Sequence, residues 1–355
     1  NYQELKDKLL RHGYQFYSQT DTEVVIKLVD YYYKKYNIGP IDAIAKTMVR
    51  VRGSYALELM FKDYPGEIWV ARKDSPMIIG ISDDETYVAS DVPAILEYTN
   101  QVYYIGNLEM GRLSPGKAVF YDLNGDEIAK EQVEITFSAE AADKAGFEHF
   151  MMKEIHEQPK AIKDTLNSVI HDGQIDLTAS GLTKDILEGI SEIHIVACGS
   201  AWHAGMVGKY VIEDLAEIPV STEIASEFRY KKILIDKDAL VIIISQSGET
   251  ADTLAALRAA KAKGIRTLGI VNVVGSTIAR EADNVLYTLA GPEIAVATTK
   301  AYSAQLAALY TIAVALGDAK GKIDGPDYKY YIEELLALPD KIGKTLEGKE
   351  RIQWF

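Results

Sequence analysis

The chain has 355 residues, of which 48% are apolar and 25% charged, and this length and composition predict a globular protein of two domains. Its net charge of −14 comes without a basic block, which argues against nucleic acid and anionic membranes as partners because both would be repelled. The single cysteine, Cys198, excludes an internal disulfide framework and a cysteine metal cluster, so we expect a cytoplasmic protein. No two histidines stand at metal-ligand spacing, and we expect neither a metal nor a cofactor.

Residues 1–137 show the pattern of helices followed by antiparallel strands. One helix is predicted to follow Asp21 and to end near Asn37, and Pro40 is predicted to open a second helix. The strand-like stretches that follow are 54–61, 67–71, 77–81, 86–89 and 102–105. Asn124-Gly125, between apolar residues on both sides, predicts a hairpin. This part is therefore predicted to be an α+β domain.

The character of the sequence changes at residues 138–165, which we interpret as the connection between two domains. Residues 138–143 are small and polar. Residues 150–159 are predicted to form a helix that its own Pro159 ends, because proline lacks the N–H that the next turn requires.

Residues 166–340 alternate short apolar strands with helices. The strands are predicted at 193–198, 240–244, 268–271 and 285–289. Continuous apolar runs of this length are typical of strands buried on both faces of a parallel sheet. Helices are predicted at 250–263, ended by Gly264, and at 301–316. We therefore predict an α/β doubly wound domain, followed at 341–355 by the start of a link to a further domain.

Three strand ends of this domain carry polar loops, at 198–201, 245–250 and 291–300. Because ligands of open parallel sheets bind at the carboxyl ends of strands, these loops are the candidate site. The second loop supplies the hydroxyls of Ser245, Ser247 and Thr250 and the amide of Gln246, and it runs directly into a helix. Unpaired N–H groups and about half a positive charge at a helix N-terminus favour an anion such as phosphate.

Ser247 has a possible structural role beside the binding role. Serine is a common helix cap, and for this residue alone capping explains the sequence as well as phosphate binding does. The six-residue pattern together with two further polar loops at strand ends favours the phosphate site. The loop is neither a nucleotide P-loop, since the Gly-Lys-Ser/Thr ending is absent, nor a Gly-x-Gly-x-x-Gly dinucleotide turn.

The run at 245–254 resembles the phosphosugar-isomerase module known as the SIS domain. Further segments resemble the glutamine–fructose-6-phosphate aminotransferase (isomerising), or glucosamine-6-phosphate synthase, family; in the second half they are 153–159, 223–230 and 293–302. In the first half, 20–24, 52–55 and 89–91 resemble the glutaminase part of that family, whose fold is of the N-terminal-nucleophile type. The resemblance covers essentially the whole chain.

The resemblance implies an aminotransferase that converts fructose 6-phosphate and glutamine to glucosamine 6-phosphate and glutamate, the first step of amino sugar and UDP-N-acetylglucosamine synthesis. It also implies a homodimer. The sugar phosphate is then expected at these residues: Ser200, Ala201, Ser245, Gln246, Ser247, Thr250, Val296, Ala297 and Thr298. Asp21 matches the aspartate expected to hold the α-amino group of glutamine, although it is also placed to cap the helix that follows.

This sequence departs from the family pattern in two ways. Ala201 stands where the family has a serine, which removes one phosphate donor. The nucleophile of the family is a cysteine at the mature N-terminus, whereas residue 1 here is Asn1, and the isomerase glutamate, histidine and lysine come from a part beyond Phe355. We therefore assign no catalytic residue to this chain and interpret it as a piece of a longer enzyme. We expect neither glutaminase nor synthase activity from this chain alone.

Two other interpretations compete with the synthase. SIS domains also serve as sugar-phosphate-binding modules of regulators, which pair them with a basic DNA-binding helix-turn-helix. A related deglycase uses the sugar module without a glutaminase half. The acidic, strand-rich residues 1–137, with their glutaminase-like motifs, argue against both.

Overall fold

The computed structural model describes residues 1–92, 94–135 and 144–354, with the backbone only at Gln353. The chain divides into two compact units, Asn1–Ala142 and Asp143–Phe355. The small polar segment predicted at 138–143 lies outside the described residues. No helix in the described ranges is long and apolar enough to cross a membrane.

Unit 1 begins with three helices whose limits follow from local backbone chemistry. They are α1 (Tyr2–Arg11), α2 (Asp21–Tyr36) and α3 (Pro40–Met48). The α2 helix ends at Asn37, which adopts the left-handed conformation (φ 50°) that asparagine tolerates better than most residues. Pro40 occupies the first turn of α3, where its missing N–H costs nothing. The predictions of α2 and α3 are confirmed, whereas α1 was not predicted.

The strands of unit 1 form two antiparallel sheets. The first has the order β1-β2-β6-β7-β8 and the second the order β4-β3-β5-β9. Their bounds are β1 (Tyr55–Leu59), β2 (Ile68–Lys73), β3 (Ile78–Ile81), β4 (Thr86–Ala89), β5 (Gln101–Tyr104), β6 (Met110–Ser114), β7 (Lys117–Tyr121), β8 (Glu127–Ile128) and β9 (Val133–Glu134). The hairpin predicted at Asn124-Gly125 joins β7 and β8 in antiparallel register, with Phe120 opposite Ile128. The α+β prediction for this part is confirmed.

Unit 2 contains a parallel sheet of five strands in the order β13-β12-β14-β15-β16 and a two-stranded ribbon. The strands are β10 (Ile170–His171), β11 (Gln174–Ile175), β12 (Ile193–Ala197), β13 (Val220–Ile224), β14 (Leu240–Ser245), β15 (Arg266–Val271) and β16 (Asn284–Tyr287). The helices are α4 (Phe150–Asn167), α5 (Lys184–Gly189), α6 (Gly199–Ala216), α7 (Ala225–Phe228), α8 (Ala251–Ala262), α9 (Thr277–Glu281), α10 (Lys300–Ala319), α11 (Gly325–Glu347) and α12 (Lys349–Gln353).

Both faces of this sheet are buried. Alternate residues of β14 enter different apolar clusters: Ile242 packs with the helices of one face, and Val241 and Ile243 pack with those of the other. Every residue of β14 is buried, as the continuous apolar run predicted. The prediction of an α/β doubly wound domain is confirmed.

The strand order contains one reversal, and it determines where a ligand can bind. The chain passes from β12 outward to the edge strand β13 and then returns across β12 to β14, so consecutive connections leave in opposite directions between β12 and β14. In open parallel sheets such a switch point opens a crevice beyond the carboxyl ends of the two strands. Residues Cys198 and Gln246 directly follow these two ends.

The prediction that Pro159 ends its helix is wrong, because α4 continues to Asn167. Pro159 leaves the carbonyl of Ile155 without its usual backbone donor, and the side-chain amide of Gln158 donates to that oxygen at 3.2 Å. The turns beyond the proline bury Ile162 and Leu166 in the core of unit 2. Apolar burial thus outweighs the local cost of the proline.

Candidate functional site

A pocket of about 200 Å³ opens at the switch point of unit 2. It lies between the first turns of α6 and α8, which follow β12 and β14. Its lining residues are Cys198, Ser200, Ala201, Ile244, Ser245, Gln246, Ser247, Thr250, Thr253, Thr298 and Gln305. The fold thus brings together residues from all three of the polar loops that the sequence singled out.

The turn after β14 is held by its own hydroxyls. Ser245 is 3% exposed, and its Oγ accepts a hydrogen bond from the N–H of Gly248 at 3.0 Å and lies 3.1 Å from Thr250 Oγ1. Ser247 Oγ accepts from the N–H of Glu249 at 3.2 Å. These bonds close the turn upon itself and hold its hydroxyl groups at the wall of the pocket.

Ser247 does not cap helix α8 in the structure. Helix α8 begins after Thr250, and no side chain caps its first turn. Helix α6 likewise begins after Cys198 without a side-chain cap. The first N–H groups of a helix have no intrahelical acceptor, so two uncapped helices begin at this pocket. Their dipoles both favour an anion there.

A second layer of hydrogen bonds supports the turn from behind. The carboxylate of Glu249 accepts from the N–H and Oγ1 of Thr277, at 2.6 and 2.9 Å, and so binds the first turn of α9. The carbonyl of Gly248 accepts from the N–H of Ile278 at 3.0 Å. Glu249 does not line the pocket. Its negative charge is bound to the first turn of α9, and the residues at the pocket surface are uncharged.

The third loop contributes less to the lining than predicted. Thr298 lines the pocket, whereas Val296 and Ala297 do not, and the side chain of Val296 is fully exposed. The structure adds Thr253 and Gln305, which the sequence interpretation missed. Thr253 lies one helical turn beyond Thr250, and that spacing was the available signal. No local signal marked Gln305.

The pocket is lined by uncharged residues, most of which have hydroxyl or amide side chains. None of the residues that line it is Asp, Glu, Lys, Arg or His. Thr253 is 1% exposed, and its Oγ1 has no hydrogen-bond partner, which makes it an unused donor at the pocket. Within the described part of the chain, no group of three His, Cys, Asp or Glu residues is placed to hold a metal ion. Hydroxyls, amides and helix dipoles are therefore the means by which this pocket can bind an anion.

Asp21, the predicted contact for glutamine, belongs to unit 1. It is exposed and is the first residue of α2; the N-cap position is Thr20, so the capping role considered for Asp21 is wrong. Glu23 holds the preceding turn: its carboxylate accepts from the Ser18 hydroxyl and from the N–H groups of Tyr17 and Ser18. The Ser18 hydroxyl, followed by these N–H groups, lowers the pKa of Glu23 from 4.5 to about 2.

Comparison with known proteins identifies relatives of both units. Residues 186–315 match the model of the SIS domain, and residues 1–97 match that of the glutamine amidotransferase domain. A glutamine–fructose-6-phosphate aminotransferase (isomerizing) of Caldanaerobacter subterraneus is 52% identical over 356 residues, all of this chain and 58% of the relative. The enzymes of the same name from Clostridium tetani and Methanosarcina acetivorans are 50% and 42% identical, over 99% of this chain and 57% and 58% of their own lengths.

A solved structure shows the same relationship. The C-terminal domain of glucosamine-fructose-6-phosphate aminotransferase from Francisella tularensis superposes with a TM-score of 0.57 at 40% identity, covering 59% of each chain. The present chain spans 58% of the length of the Caldanaerobacter subterraneus relative.

Proposed function

The chain belongs to the family of the isomerizing glutamine–fructose-6-phosphate aminotransferases, and on that premise we propose that the pocket of unit 2 binds fructose 6-phosphate and glucosamine 6-phosphate. The protein of which this chain is part would then convert fructose 6-phosphate and glutamine to glucosamine 6-phosphate and glutamate. The observation that carries the proposal is the convergence of two uncapped helices on one uncharged, hydroxyl-lined pocket.

The phosphate is assigned to the ends of β12 and β14. Ser200, Ser245, Ser247 and Thr250 provide hydroxyl donors on two sides of the pocket, and Gln246 provides an amide. A phosphate held by neutral donors and helix N-termini needs no lysine. Ala201 has no hydroxyl to add, so the first turn of α6 contributes its backbone N–H groups instead.

The sugar is assigned to the part of the pocket that Thr298 and Gln305 line. Val296 and Ala297 continue the loop that contains Thr298. The exposed position of Val296 leaves its side chain available to a sugar that extends out of the pocket.

Unit 1 is assigned to glutamine, with Asp21 holding the α-amino group. The match of residues 1–97 to the glutamine amidotransferase domain supports a synthase over a regulatory sugar-phosphate-binding module or a deglycase. We further assign the chain to the cytoplasm and to a homodimer, the latter on the family resemblance. Its net charge of −14 gives no long-range attraction toward nucleic acid or an anionic membrane.

The phosphate assignment is tested by replacing Ser247. Calorimetric titration with fructose 6-phosphate is expected to show binding by the 355-residue chain and binding about two- to tenfold weaker by Ser247→Ala, the effect of one neutral hydrogen bond. Ser168→Ala is the matched control, because its hydroxyl donates to the carbonyl of Thr165 within α4 and lies outside the pocket. Equal affinities of Ser247→Ala and wild type would contradict the assignment.

A further inference from the structure

One face of α4 presents a row of polar side chains to the loop at 291–299 and to the start of α10. Glu154 accepts hydrogen bonds from that loop, Glu157 forms an ion pair with Lys300 at 2.6 Å, and Gln158 accepts from the hydroxyl of Ser303. Residues three and four apart share one face of a helix. The α4 helix is therefore built against the segment that contains Thr298, although about 140 residues separate them in sequence.

Glu154 is the contact of this row that reaches the loop itself. It is 2% exposed, and its Oε1 accepts from the N–H groups of Ile294 and Ala295, at 2.6 and 3.1 Å. Its Oε2 is buried without a hydrogen-bond partner. Burying a carboxylate costs free energy unless hydrogen bonds compensate for the lost water. The two hydrogen bonds from the loop offset part of that cost for Glu154.

A second carboxylate fixes the other end of the loop. Glu293 accepts from the Thr298 hydroxyl at 2.7 Å and from the N–H groups of Thr299 and Ala301, at 2.8 and 3.1 Å. Val296 and Ala297 lie between the backbone positions that Glu154 and Glu293 bind. Within the described residues, the N–H groups of these two residues donate to neither carboxylate. The position of the 296–298 segment thus depends on Glu154 and Glu293.

The phosphate turn is supported by different residues. Glu249 and Gly248 bind it to the first turn of α9 through Thr277 and Ile278. The two halves of the pocket are joined at Asn272, whose N–H donates to the carbonyl of Gln246 and whose side chain donates to that of Gly291. The bonds that Glu154 accepts lie at 294 and 295, beyond the Asn272 connection at Gly291, so a change at Glu154 should affect the sugar side more than the phosphate side.

We propose that Glu154 is a positioning residue that holds the 294–298 loop against the sugar of a bound sugar phosphate, while the phosphate turn is held by its own bonds to α9. The proposal rests on the sugar-phosphate assignment made above. It predicts that the affinity for a hexose phosphate and the affinity for phosphate alone respond differently to substitutions at this residue.

The test compares fructose 6-phosphate and inorganic phosphate as ligands of the 355-residue chain in calorimetric titrations. Glu154→Ala is expected to weaken fructose 6-phosphate binding by about tenfold or more and to leave phosphate binding within about twofold, since it removes two charge-assisted hydrogen bonds from the sugar side. Glu154→Gln is expected to bind both ligands as wild type does, because its amide oxygen can still accept from both N–H groups. This rescue distinguishes positioning from charge.

Asp164→Ala serves as the matched control. It removes a carboxylate from the same helix, where Asp164 pairs with the exposed Lys160, and should change neither affinity. If Glu154→Ala does not fold, Glu154→Asp replaces it, since the carboxylate then recedes from the loop by one methylene. Amide hydrogen exchange provides a second measurement: exchange at 294 and 295 should accelerate in the alanine or aspartate variant and stay slow in Glu154→Gln.

Two results would overturn the positioning role while leaving the sugar-phosphate site intact: equal fructose 6-phosphate affinity of wild type and Glu154→Ala, or equal loss for both ligands. A wild-type chain that binds neither ligand would instead overturn the sugar-phosphate assignment, and the positioning role with it. Unchanged exchange at 294 and 295 in Glu154→Ala would show that the carboxylate does not hold the loop.

Discussion

Gly248 shows how a single position shapes the phosphate turn. Its φ is +66°, a conformation that residues with a Cβ adopt at a cost, and a Cβ placed there would lie 2.0 Å from Ser276 Oγ. The close approach of the turn to Ser276 is possible because glycine has no side chain. The glycine therefore serves both the backbone angle and the packing of the turn on the segment before α9.

Gly248→Ala is expected to lower the free energy of unfolding by about 2–5 kcal/mol, from left-handed strain together with overpacking. Urea denaturation measures this change, and fructose 6-phosphate affinity should fall with it because the turn must shift. Gly264→Ala is the control: its φ is +72° with no atom within 4 Å of the added Cβ, so it should incur only the strain of about 1–2 kcal/mol. Equal losses in the two variants would refute the steric part of the argument.

At the scale of elements, α4 illustrates a conflict between local preference and tertiary packing. Pro159 removes one backbone hydrogen bond, and Gln158 partly replaces it by donating to the carbonyl of Ile155. The helix persists because Ile162 and Leu166, beyond the proline, are buried. Without this burial the sequence would favour a helix that stops, as was predicted.

Pro159→Ala is expected to raise the free energy of unfolding by about 1–2 kcal/mol, since it restores a backbone donor and loses only the proline's restriction of the unfolded chain. Chemical denaturation provides the measurement. Pro40→Ala is the matched control, because Pro40 lies in the first turn of α3, where no intrahelical donor is missing, and no gain is expected. A variant at 159 no more stable than wild type would contradict this account of α4.

At the scale of the whole chain, each unit encloses its own apolar core. In unit 1, Leu28 and Ile44 are fully buried, and in unit 2, Ile195 and Ile242 are buried in the core on one face of the parallel sheet. Each core brings together helices and strands of the same unit. Unfolding should therefore proceed in two steps rather than one.

Scanning calorimetry of the 355-residue chain is expected to resolve two transitions. Fructose 6-phosphate at about 100 times its Kd should stabilise one of them by about 2.7 kcal/mol, because the pocket belongs to unit 2. Ile44→Ala should lower the other by about 2–5 kcal/mol. A single transition that responds to both the ligand and the substitution would contradict the two-core interpretation.

The sequence by itself determined those features whose signals are local. Asn37 and Pro40 set the end of α2 and the start of α3 through their own backbone preferences, and the apolar run of β14 identified a strand buried on both faces. The candidate phosphate loop at 245–250 was readable because its hydroxyls and glycine are adjacent in the chain. The edge strand β13 was not predicted. Val220 is its one buried residue, so the strand lacks the apolar run that identified the others.

Only the tertiary structure decided which distant segments meet. The strand order brings 198–201 to 245–250, and α10 adds Gln305 to the same pocket. The bond from Ile294 to Glu154 spans 140 residues, a separation across which helical and strand periodicity carries no information. Periodicity and turn chemistry describe a residue's immediate neighbours, whereas the walls of this pocket and the loop beside it depend on contacts that exist only once the sheet has formed.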